Sequence, residues 1–349
     1  VTKGINGAEF KMSVQDIRKF LRLIIEKVDA GIKLATDSKG CVATYFYHKI
    51  VDYRETGVNN DQGLPFLMPK KFERHDLPLF LEGFVHALRV EKDPSKARAL
   101  YQAVRRSELF DKKLKMYRVN TDLSNESSEI GRARIFPAGW LENQSIWIHM
   151  EYKFLLELLR CGLYDEFYEN LPHTLVPFLD PETYGRSILE NSSFVVSSAH
   201  ENPEIHGRGY VARLSGSTAE FVHIWLTMNM GLSPFSLDGD GKLQLAFKPI
   251  LSKDLFSRKE TSVRILGRNG RWEDVRLPAQ TYAFNFMNST LVVYHNPRKV
   301  NTFDSKAVIK TIVCTNVAGK KTEIKGSILG EDLAQKARAG MMKRMDIFF

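Results

Sequence analysis

The sequence has little cysteine: only three of its 349 residues, Cys41, Cys161 and Cys314, carry a thiol. They lie far apart and form no CxxC pair, so their spacing predicts neither a disulfide framework nor a zinc site. A cytoplasmic protein with reduced thiols is the simplest interpretation.

Long hydrophobic runs are also missing. No window reaches the roughly 18 consecutive apolar residues that a membrane-spanning helix needs, and the N-terminus lacks the charged-then-apolar pattern of a signal peptide. Internal repeats and low-complexity stretches are absent as well. With 43% hydrophobic and 26% charged residues, the composition is typical of an ordinary globular protein of one or two domains without a membrane partner.

The positive charge is not concentrated, although the formal net charge is +9. The densest basic runs, residues 111–118 and 341–345, are short and belong to no recognisable nucleic-acid motif. We therefore expect solvated faces or a site for a small anion, and no nucleic-acid partner.

Helical periodicity dominates the first two-thirds of the chain. Ser13 is a predicted N-cap with Asp16 at the third helical position, and apolar residues then recur at three- and four-residue spacing as far as Val28. Further helices are predicted over residues 77–90, 93–107, 139–162 and 217–231. Their nearly all-round apolarity indicates burial between other helices. Because strands do not alternate with them, a helical array or an α/α barrel is favoured over a doubly wound sheet.

After about residue 236 the hydrophobic period changes from 3.6 to 2. Alternating segments at 242–247, 262–266, 281–286, 290–296, 307–314 and 321–326 are separated by turn sequences such as DGDGK. The pattern predicts a β-sandwich or jelly roll with a short helix over 331–339. We accordingly predict two domains, residues 1–235 and 236–349.

Two polar features interrupt the helical part. The first is His149, which lies between aromatic residues in "IWIHMEY"; by itself it is interpreted as a core histidine satisfied by a backbone carbonyl. The second is "LSGSTAEF", residues 214–221, where hydroxyls and free N–H groups at a helix start predict an anion site. The alternative is that Ser217 or Thr218 simply caps that helix.

Three segments carry a family resemblance: "GWLENQSIWIHMEYKFLLELL", "LDPETYGRSILENSSFVVSSAH" and "GRGYVARLSGSTAEF". They resemble the C-terminal half of the inverting sugar phosphorylases related to cellobiose and chitobiose phosphorylase. The serine-rich stretches are most similar to the 1,2-β-oligoglucan phosphorylase branch and the related domain of cyclic β-1,2-glucan synthases. The resemblance covers nearly the whole chain, and it implies the second half of an (α/α)6 barrel followed by a C-terminal antiparallel β-sandwich (jelly roll).

The resemblance also implies a phosphate site. His149, six residues after Asn143, matches the family histidine that binds inorganic phosphate, and Ser215 with Gly216 matches the Thr/Ser-Gly pair that binds it too. A family arginine that also holds phosphate has no counterpart in this chain. Phosphate is then a co-substrate, and no metal or organic cofactor is implied.

The implied reaction transfers glucose from a β-glucan oligosaccharide to phosphate. A phosphate oxygen attacks the anomeric carbon while a carboxylic acid protonates the leaving sugar oxygen, which gives α-glucose 1-phosphate with inversion. Only one catalytic carboxyl is needed, because phosphate replaces the activated water. Members of the family are often dimers, so a homodimer of the intact protein is expected.

The catalytic acid is not identified within the chain. The chain begins with Val1 and "VTKGING" is typical of a loop before a helix, so we expect a fragment. Matching the family's Gly-x-Asn-Gly-like loop to "GING" places the acid one residue before Val1, but Val-Thr-Lys does not match the family's Trp-Asn-Asp. The alternative is an acid elsewhere in the chain.

Internal carboxylates and amides are interpreted as substrate-binding groups. Glu190 and Glu142 are the best candidates, as sugar-binding or helix-linking residues, and Asn191, Ser192 and Ser193 are expected to line the same cavity. His200, His206, Arg208 and Arg213 are weaker candidates, since charged loop residues are more often solvated. Trp140, Trp147, Tyr152 and Tyr184 either stack on sugar faces or belong to the core.

Two other functional classes stay open. A hydrolase or transglycosylase of the same barrel clan would act without phosphate and release glucose or longer glucans. A non-catalytic carbohydrate-binding protein would bind sugar without turnover.

Overall fold

The computed structural model describes residue 7 and residues 10–212, 215–267, 270–288 and 290–349. The helices it contains there are α1 (Val14–Ala35), α2 (Leu81–Val90), α3 (Pro94–Arg106), α4 (Arg132–Ile135), α5 (Ile148–Arg160), α6 (Tyr164–Thr174), α7 (Pro181–Tyr184), α8 (Ser215–Met230) and α9 (Glu331–Arg338).

The strands of the same ranges are β1 (Phe46–Asn59), β2 (Pro65–Asp76), β3 (Phe110–Asp111), β4 (Met116–Tyr117), β5 (Ile146–Trp147), β6 (Ser192–Val195), β7 (Gly209–Ala212), β8 (Phe235–Leu237), β9 (Leu243–Ala246), β10 (Thr261–Leu266), β11 (Trp272–Leu277), β12 (Thr281–Phe286), β13 (Thr290–His295), β14 (Thr311–Asn316), β15 (Lys321–Lys325), β16 (Ile328–Leu329) and β17 (Met342–Phe348).

The chain packs as two compact units. Residues 1–150 together with 194–210 form the first unit, and residues 151–193 together with 211–349 form the second. The unit boundaries follow the packing of the backbone. The predicted division into a catalytic part, residues 1–235, and a C-terminal part, residues 236–349, stays a prediction.

Local capping explains where the first helices begin. The Ser13 hydroxyl accepts a hydrogen bond from the Asp16 N–H at 3.1 Å, and the Asp16 carboxylate accepts one from the Ser13 N–H at 3.2 Å, as the predicted capping box requires. At α3, the Asp93 carboxylate accepts from the Ser95 N–H at 2.8 Å behind Pro94. The sequence prediction of both helices is confirmed.

The prediction of half an (α/α)6 barrel is wrong. Within the described ranges no closed barrel forms, and a long antiparallel ribbon, β1–β2, lies between α1 and α2 with its ends paired at Phe46↔Asp76 and Asn59↔Pro65. Register shifts interrupt the ribbon, and they break the strict alternation that identifies a strand in a sequence. Apolarity on all faces of a helix indicates burial, but it does not specify that the neighbouring element is another helix.

The strands predicted after residue 236 are confirmed, but the antiparallel sandwich or jelly roll is wrong. The largest sheet has the order β12-β13-β17-β14-β15. Its last strand, β17, lies in the centre and runs parallel to β13, with Leu291 opposite Arg344. A parallel pair needs a crossover connection, and α9 is part of the segment that leads into β17. Alternation predicts a strand but not its neighbours, so this mixed order was not visible in the sequence.

The five-stranded sheet holds α8 in place within the second unit. On one face of β13, Leu291 and Val293 pack with Leu277, and the β10–β11 hairpin covers them. On strand β13 the fully buried Tyr294 donates a 2.6 Å hydrogen bond to the backbone oxygen of Asn229 near the end of α8. The N-terminal end of α8 carries the predicted Ser-Gly pair, so the sheet anchors the helix that presents it.

Candidate functional site

The first feature of the site is a strained turn over residues 139–145, which we call the 139–145 turn. Leu141 has φ 47° and Gln144 has φ 57°, and neither is a glycine. Left-handed backbone is costly for side chains of this kind and tends to persist where the surrounding structure enforces it, often at functional sites. The sequence predicted a helix from residue 139, whereas α5 begins only at Ile148 because of this turn.

Asn120 holds the turn in its conformation. Its side-chain nitrogen donates to the backbone oxygen of Glu142 at 2.7 Å, and its side-chain oxygen accepts from the Gln144 N–H at 2.7 Å. The Asn120 side chain is buried, so both bonds form away from competing water. On the other side of the turn, the Trp147 indole N–H and the Ser145 hydroxyl both donate to the backbone oxygen of Leu141.

Two oxygen atoms of this turn are buried without a hydrogen-bond donor. Asn143 is buried. Its side-chain nitrogen donates to the backbone oxygen of Phe136 at 2.7 Å, while its Oδ1 has no partner. Glu142 forms an ion pair through Oε1 with Arg132 at 2.6 Å, while its Oε2 is buried and unpaired. A buried acceptor without a donor costs free energy, and native proteins leave few of them. Glu142 Oε2 and Asn143 Oδ1 are therefore the acceptors of this turn that a donor from water or from a ligand would satisfy.

Aromatic side chains surround the beginning of the turn. The Trp140 ring contacts the rings of Phe194 at 5.2 Å, Tyr210 at 4.7 Å and His200 at 6.1 Å between centroids. Strands β5 and β6 bring this cluster together, because Trp147 pairs with Phe194 in their antiparallel register. Trp140 and Tyr210 are only half-buried, so part of the aromatic surface faces solvent.

A half-exposed aromatic cluster and unpaired acceptors on one turn suit a neutral polyol. Hydroxyl groups, of water or of a sugar, are donors of the kind that Glu142 Oε2 and Asn143 Oδ1 lack. An aromatic ring such as that of Trp140 is a large amphipathic surface, against which the apolar face of a sugar ring can pack. The chemistry of these side chains therefore fits sugar binding in the first unit.

His149 is the second residue of α5 and lies two residues after the end of strand β5. It is half-buried, whereas its neighbours Ile148 and Tyr152 are buried. Glu142 and His149 both belong to the first unit, seven residues apart in the chain. The roles that the resemblance implies for them stay predictions.

In the second unit, a buried tyrosine orders the predicted Asn191. The Tyr152 hydroxyl donates to Asn191 Oδ1 at 3.0 Å and accepts from the Val176 N–H at 3.0 Å. Burial raises the pKa of Tyr152 well above its ordinary value, so the hydroxyl remains a donor at neutral pH.

A second tyrosine orders Glu190 and Ser192. The Tyr184 hydroxyl accepts from the Ser192 N–H at 2.8 Å and donates to the backbone oxygen of Glu190 at 3.2 Å. The Glu190 carboxylate is bound by Arg186, with the shorter contact at 2.6 Å. Glu190 is thus half of an ion pair, and the buried Ser193 hydroxyl, three residues further along the chain, has no hydrogen-bond partner.

The predicted Ser-Gly pair lies at the start of α8, where Ser215 is the first helical residue and Gly216 the second. Gly216 is half-buried. The side chain of Ser215 and the whole of Arg213 lie outside the described residues, so the predicted phosphate contact of Ser215 stays a prediction. These residues belong to the second unit, and His149 belongs to the first.

Among the buried carboxylates that sequence reasoning missed is Asp111. Asp111 is fully buried and accepts hydrogen bonds from the Ser198 N–H at 2.7 Å, the Ser198 hydroxyl at 2.8 Å and the Leu114 N–H at 3.2 Å, with Arg118 at 3.4 Å. Burial by itself raises the pKa of Asp111, but the hydrogen bonds and the charge of Arg118 outweigh burial, so that the pKa lies below its ordinary value of 3.8. Asp111 lies in the basic "DKKLKMYR" run, so the sequence pattern did not distinguish this buried carboxylate from a solvated one.

Two kinds of feature are absent from the part of the chain that the structure describes. It contains no group of three or more His, Cys, Asp or Glu side chains that could hold a metal ion. In the same ranges, no helix combines the length and the apolarity that crossing a bilayer requires.

No protein-family model matches the chain, and no curated protein matches it.

Proposed function

We propose that the chain functions in an inverting glycoside phosphorylase, which cleaves a β-linked glucan with inorganic phosphate. The substrate that we favour is a 1,2-β-oligoglucan. The observation that supports it most is the pair of unpaired buried oxygens, Glu142 Oε2 and Asn143 Oδ1, on the strained turn that carries Trp140. The family resemblance of the same residues supplies the reaction type. The three free thiols are consistent with the cytoplasmic location that we propose for it.

Sugar binding would use the 139–145 turn. A glucose unit would pack its apolar face against the Trp140 ring. Its hydroxyl groups would donate hydrogen bonds to Glu142 and Asn143. Because Asn120 fixes the turn before any sugar arrives, little conformational freedom is lost on binding, and this preorganisation favours both affinity and orientation.

The resemblance assigns phosphate binding to His149 in the first unit and, separately, to the Ser215–Gly216 pair at the start of α8 in the second unit. A protonated imidazole is a hydrogen-bond donor with positive charge, and the first N–H groups of a helix lack intrahelical partners. Groups of this kind hold an oxyanion in line with the anomeric carbon.

The bond changes are those of the reaction that the family resemblance implies. One phosphate oxygen forms a bond to the anomeric carbon from the α face, the β-glycosidic bond breaks, and the leaving oxygen takes a proton from a carboxylic acid. The product is α-glucose 1-phosphate and a shortened glucan. The described residues do not single out the acid, since Glu142 and Glu190 are both held in ion pairs with arginines.

The experiment combines product analysis with one substitution. The whole protein that contains this chain is incubated with a 1,2-β-oligoglucan, with and without inorganic phosphate, and the products are assigned by phosphorus and proton NMR. We expect α-glucose 1-phosphate that requires phosphate. His149→Ala is expected to raise the phosphate concentration needed for half-maximal rate by about tenfold or more, the loss of one charged hydrogen bond.

The control is His86→Ala, because His86 is an exposed histidine on α2 of the same unit. It is expected to leave the phosphate requirement unchanged. Release of free glucose without phosphate would identify a hydrolase, and sugar binding without either product would identify a carbohydrate-binding protein. Both results, like the absence of any sugar binding, would overturn the proposal.

A further inference from the structure

The basic segment "DKKLKMYR", residues 111–118, has no role in the proposed reaction, yet one of its lysines contacts a second basic side chain. The Lys113 Nζ atom lies 2.8 Å from the Nδ1 atom of His206, which belongs to the loop between β6 and β7. Lys113 is exposed and His206 is half-buried. Both belong to the first unit, so the contact is a feature of that unit by itself.

The hydrogen bonds of His206 define the form that its ring has in this contact. An ammonium group has only donors, so Nδ1 must accept the hydrogen bond from Lys113. Nε2 then carries the ring proton and donates it to the backbone oxygen of His200 at 2.7 Å. If Nδ1 also gained a proton, two cations would lie in direct contact. A negatively charged group between them would remove this repulsion.

The pair has no carboxylate as a counter-charge. Within the part of the chain that the structure describes, no Asp or Glu forms an ion pair with Lys113 or His206. The buried Asp111 is already engaged with Arg118 at 3.4 Å. The other charged side chains of residues 111–118 and 197–208 are exposed: Lys112, Lys115, Glu201, Glu204 and Arg208. With five basic and three acidic side chains, the two segments have a net charge of +2, which favours an anion as the ligand.

The backbone on both sides of the pair is held in place. The Asp111 carboxylate accepts hydrogen bonds from the Lys113 N–H at 3.1 Å and from the Ser198 N–H at 2.7 Å, and it thereby joins the two segments. The loop with Ser198 is closed at its base, where the Gly207 N–H donates to the backbone oxygen of Val196 at 2.9 Å. Because this framework exists before a ligand arrives, little conformational freedom is lost on binding.

The pair also lies beside the aromatic cluster of the 139–145 turn. His206 donates to the backbone oxygen of His200, and the His200 ring lies 6.1 Å from the Trp140 ring between centroids. A ligand that has both a sugar ring and an anionic group could therefore contact Trp140 with the first and the basic pair with the second.

We infer that Lys113 and His206 form a binding site for a phosphoryl group, of either inorganic phosphate or a sugar phosphate. One oxygen accepts a hydrogen bond from the Lys113 ammonium group, and another accepts one from Nδ1 of the protonated imidazole. Binding thus replaces the direct contact and is coupled to the uptake of one proton. The site uses none of the residues to which the proposed reaction assigns phosphate, so the inference does not depend on that reaction.

Inorganic sulfate is the first probe, because its double negative charge stays constant between about pH 6 and 8, where imidazole side chains change their protonation state. Binding to the whole protein that contains this chain is measured by isothermal calorimetry at constant ionic strength. Every sample carries His149→Ala, so that the phosphate site of the proposed function contributes little. We expect the affinity for sulfate to rise severalfold as the pH falls from about 8 to 6, since the protonated pair is the form that binds.

Substitutions assign the binding to the pair. Lys113→Gln is expected to weaken sulfate binding about tenfold or more, the loss of one charged hydrogen bond, and His206→Gln is expected to remove most of the pH dependence. Lys113→Arg keeps a cationic donor and should retain most of the affinity. Lys112→Gln is the matched control, because it removes the same charge from the neighbouring exposed residue and should change the affinity much less. Thermal unfolding checks that each variant is folded.

The histidine ring gives a direct readout of the site. In protein with ¹⁵N-labelled histidine, the signals that His206→Gln removes belong to His206. We expect an Nδ1 without a proton in the free protein and a protonated Nδ1 when sulfate is bound.

The two sources of the phosphoryl group are distinguished by comparing inorganic phosphate with α-glucose 1-phosphate. Trp140→Ala is expected to weaken binding of α-glucose 1-phosphate and to leave inorganic phosphate unchanged if the natural ligand is a sugar phosphate. Equal affinities in the two proteins for both compounds would identify free phosphate as the ligand.

Three results would each overturn the inference. The first is an absence of sulfate binding at about pH 6. The second is an equal loss of affinity in Lys112→Gln and Lys113→Gln, which would mean that diffuse charge attracts the anion. The third is an Nδ1 signal of His206 that does not respond to sulfate. None of these measurements requires turnover of a glucan, so a failure of the proposed reaction would leave the inference standing.

Discussion

A Cβ atom added to Gly139 would lie 2.6 Å from the backbone nitrogen of His200. Gly139 also has φ 77°, and its backbone oxygen accepts a hydrogen bond from Ser197 at 3.3 Å. Position 139 therefore requires glycine for two separate reasons, the left-handed backbone and the close approach of a second backbone segment. At Gly139 the backbone of the 139–145 turn therefore lies directly against the backbone of the loop that carries His200.

Gly139→Ala is expected to destabilise the first unit by about 2–4 kcal/mol, because a rigid backbone rather than a mobile side chain must move. Gly131→Ala is the matched control, since Gly131 also has a positive φ but nothing within 4 Å of a Cβ. Chemical denaturation of both variants measures the difference. Equal losses of stability would show that the clash with His200 contributes nothing.

Glu142→Gln is expected to weaken sugar binding by about tenfold or more, because an amide cannot replace a charged acceptor in a buried hydrogen bond. Its ion-pair partner provides the control: Arg132 is 75% exposed at the side chain, so Arg132→Gln is expected to change affinity much less. Isothermal calorimetry with the oligoglucan compares the two variants. A larger loss of affinity in Arg132→Gln would mean that the ion pair, and not the unpaired oxygen of Glu142, determines sugar binding.

Asp111→Asn is expected to destabilise the chain by about 2–4 kcal/mol at neutral pH, since the buried carboxylate accepts hydrogen bonds from several donors. The pKa of Asp111 is lower in the folded state than its ordinary value of 3.8. The unfolded chain therefore binds more protons, and stability rises with pH in this range.

The stability due to the Asp111 carboxylate should be fully present above about pH 5 and should be lost as the pH falls below 3.8 and through the folded pKa. Denaturant titrations of the wild type and Asp111→Asn between pH 2 and 7 measure this change. A stability difference that stays constant down to pH 2 would contradict the prediction.

Tyr152→Phe is expected to destabilise the second unit by about 1–3 kcal/mol, because Val176 N–H loses its acceptor and Asn191 loses its donor in a buried site. Tyr53→Phe, at an exposed position of β1, serves as the control and should be nearly neutral. The test is thermal unfolding of both variants. A neutral Tyr152→Phe would mean that water or a rearranged loop satisfies both groups.

The capped and periodic elements could be predicted from local sequence. The capping box at Ser13, the Pro94 start of α3 and the alternation of β12 and β13 all depend on residues within a few positions of one another. The candidate site was visible only in part. His149 stood out as a polar residue in an apolar stretch and Glu142 as an internal carboxylate beside Asn143, but Asn120 did not, because its hydrogen bonds reach a segment more than twenty residues away.

The sequence by itself determined where the capped helices α1 and α3 and the alternating strands β9, β10, β12, β13, β14 and β15 lie, since capping, periodicity and turn residues act over short distances. Only the tertiary structure decided how they combine: β17 enters the sheet beside β13, and residues 139–145 form a strained turn instead of the first part of a helix. The physical reason is that strand neighbours, close backbone approaches and buried unpaired oxygens depend on contacts between residues far apart in the chain, which no local pattern encodes.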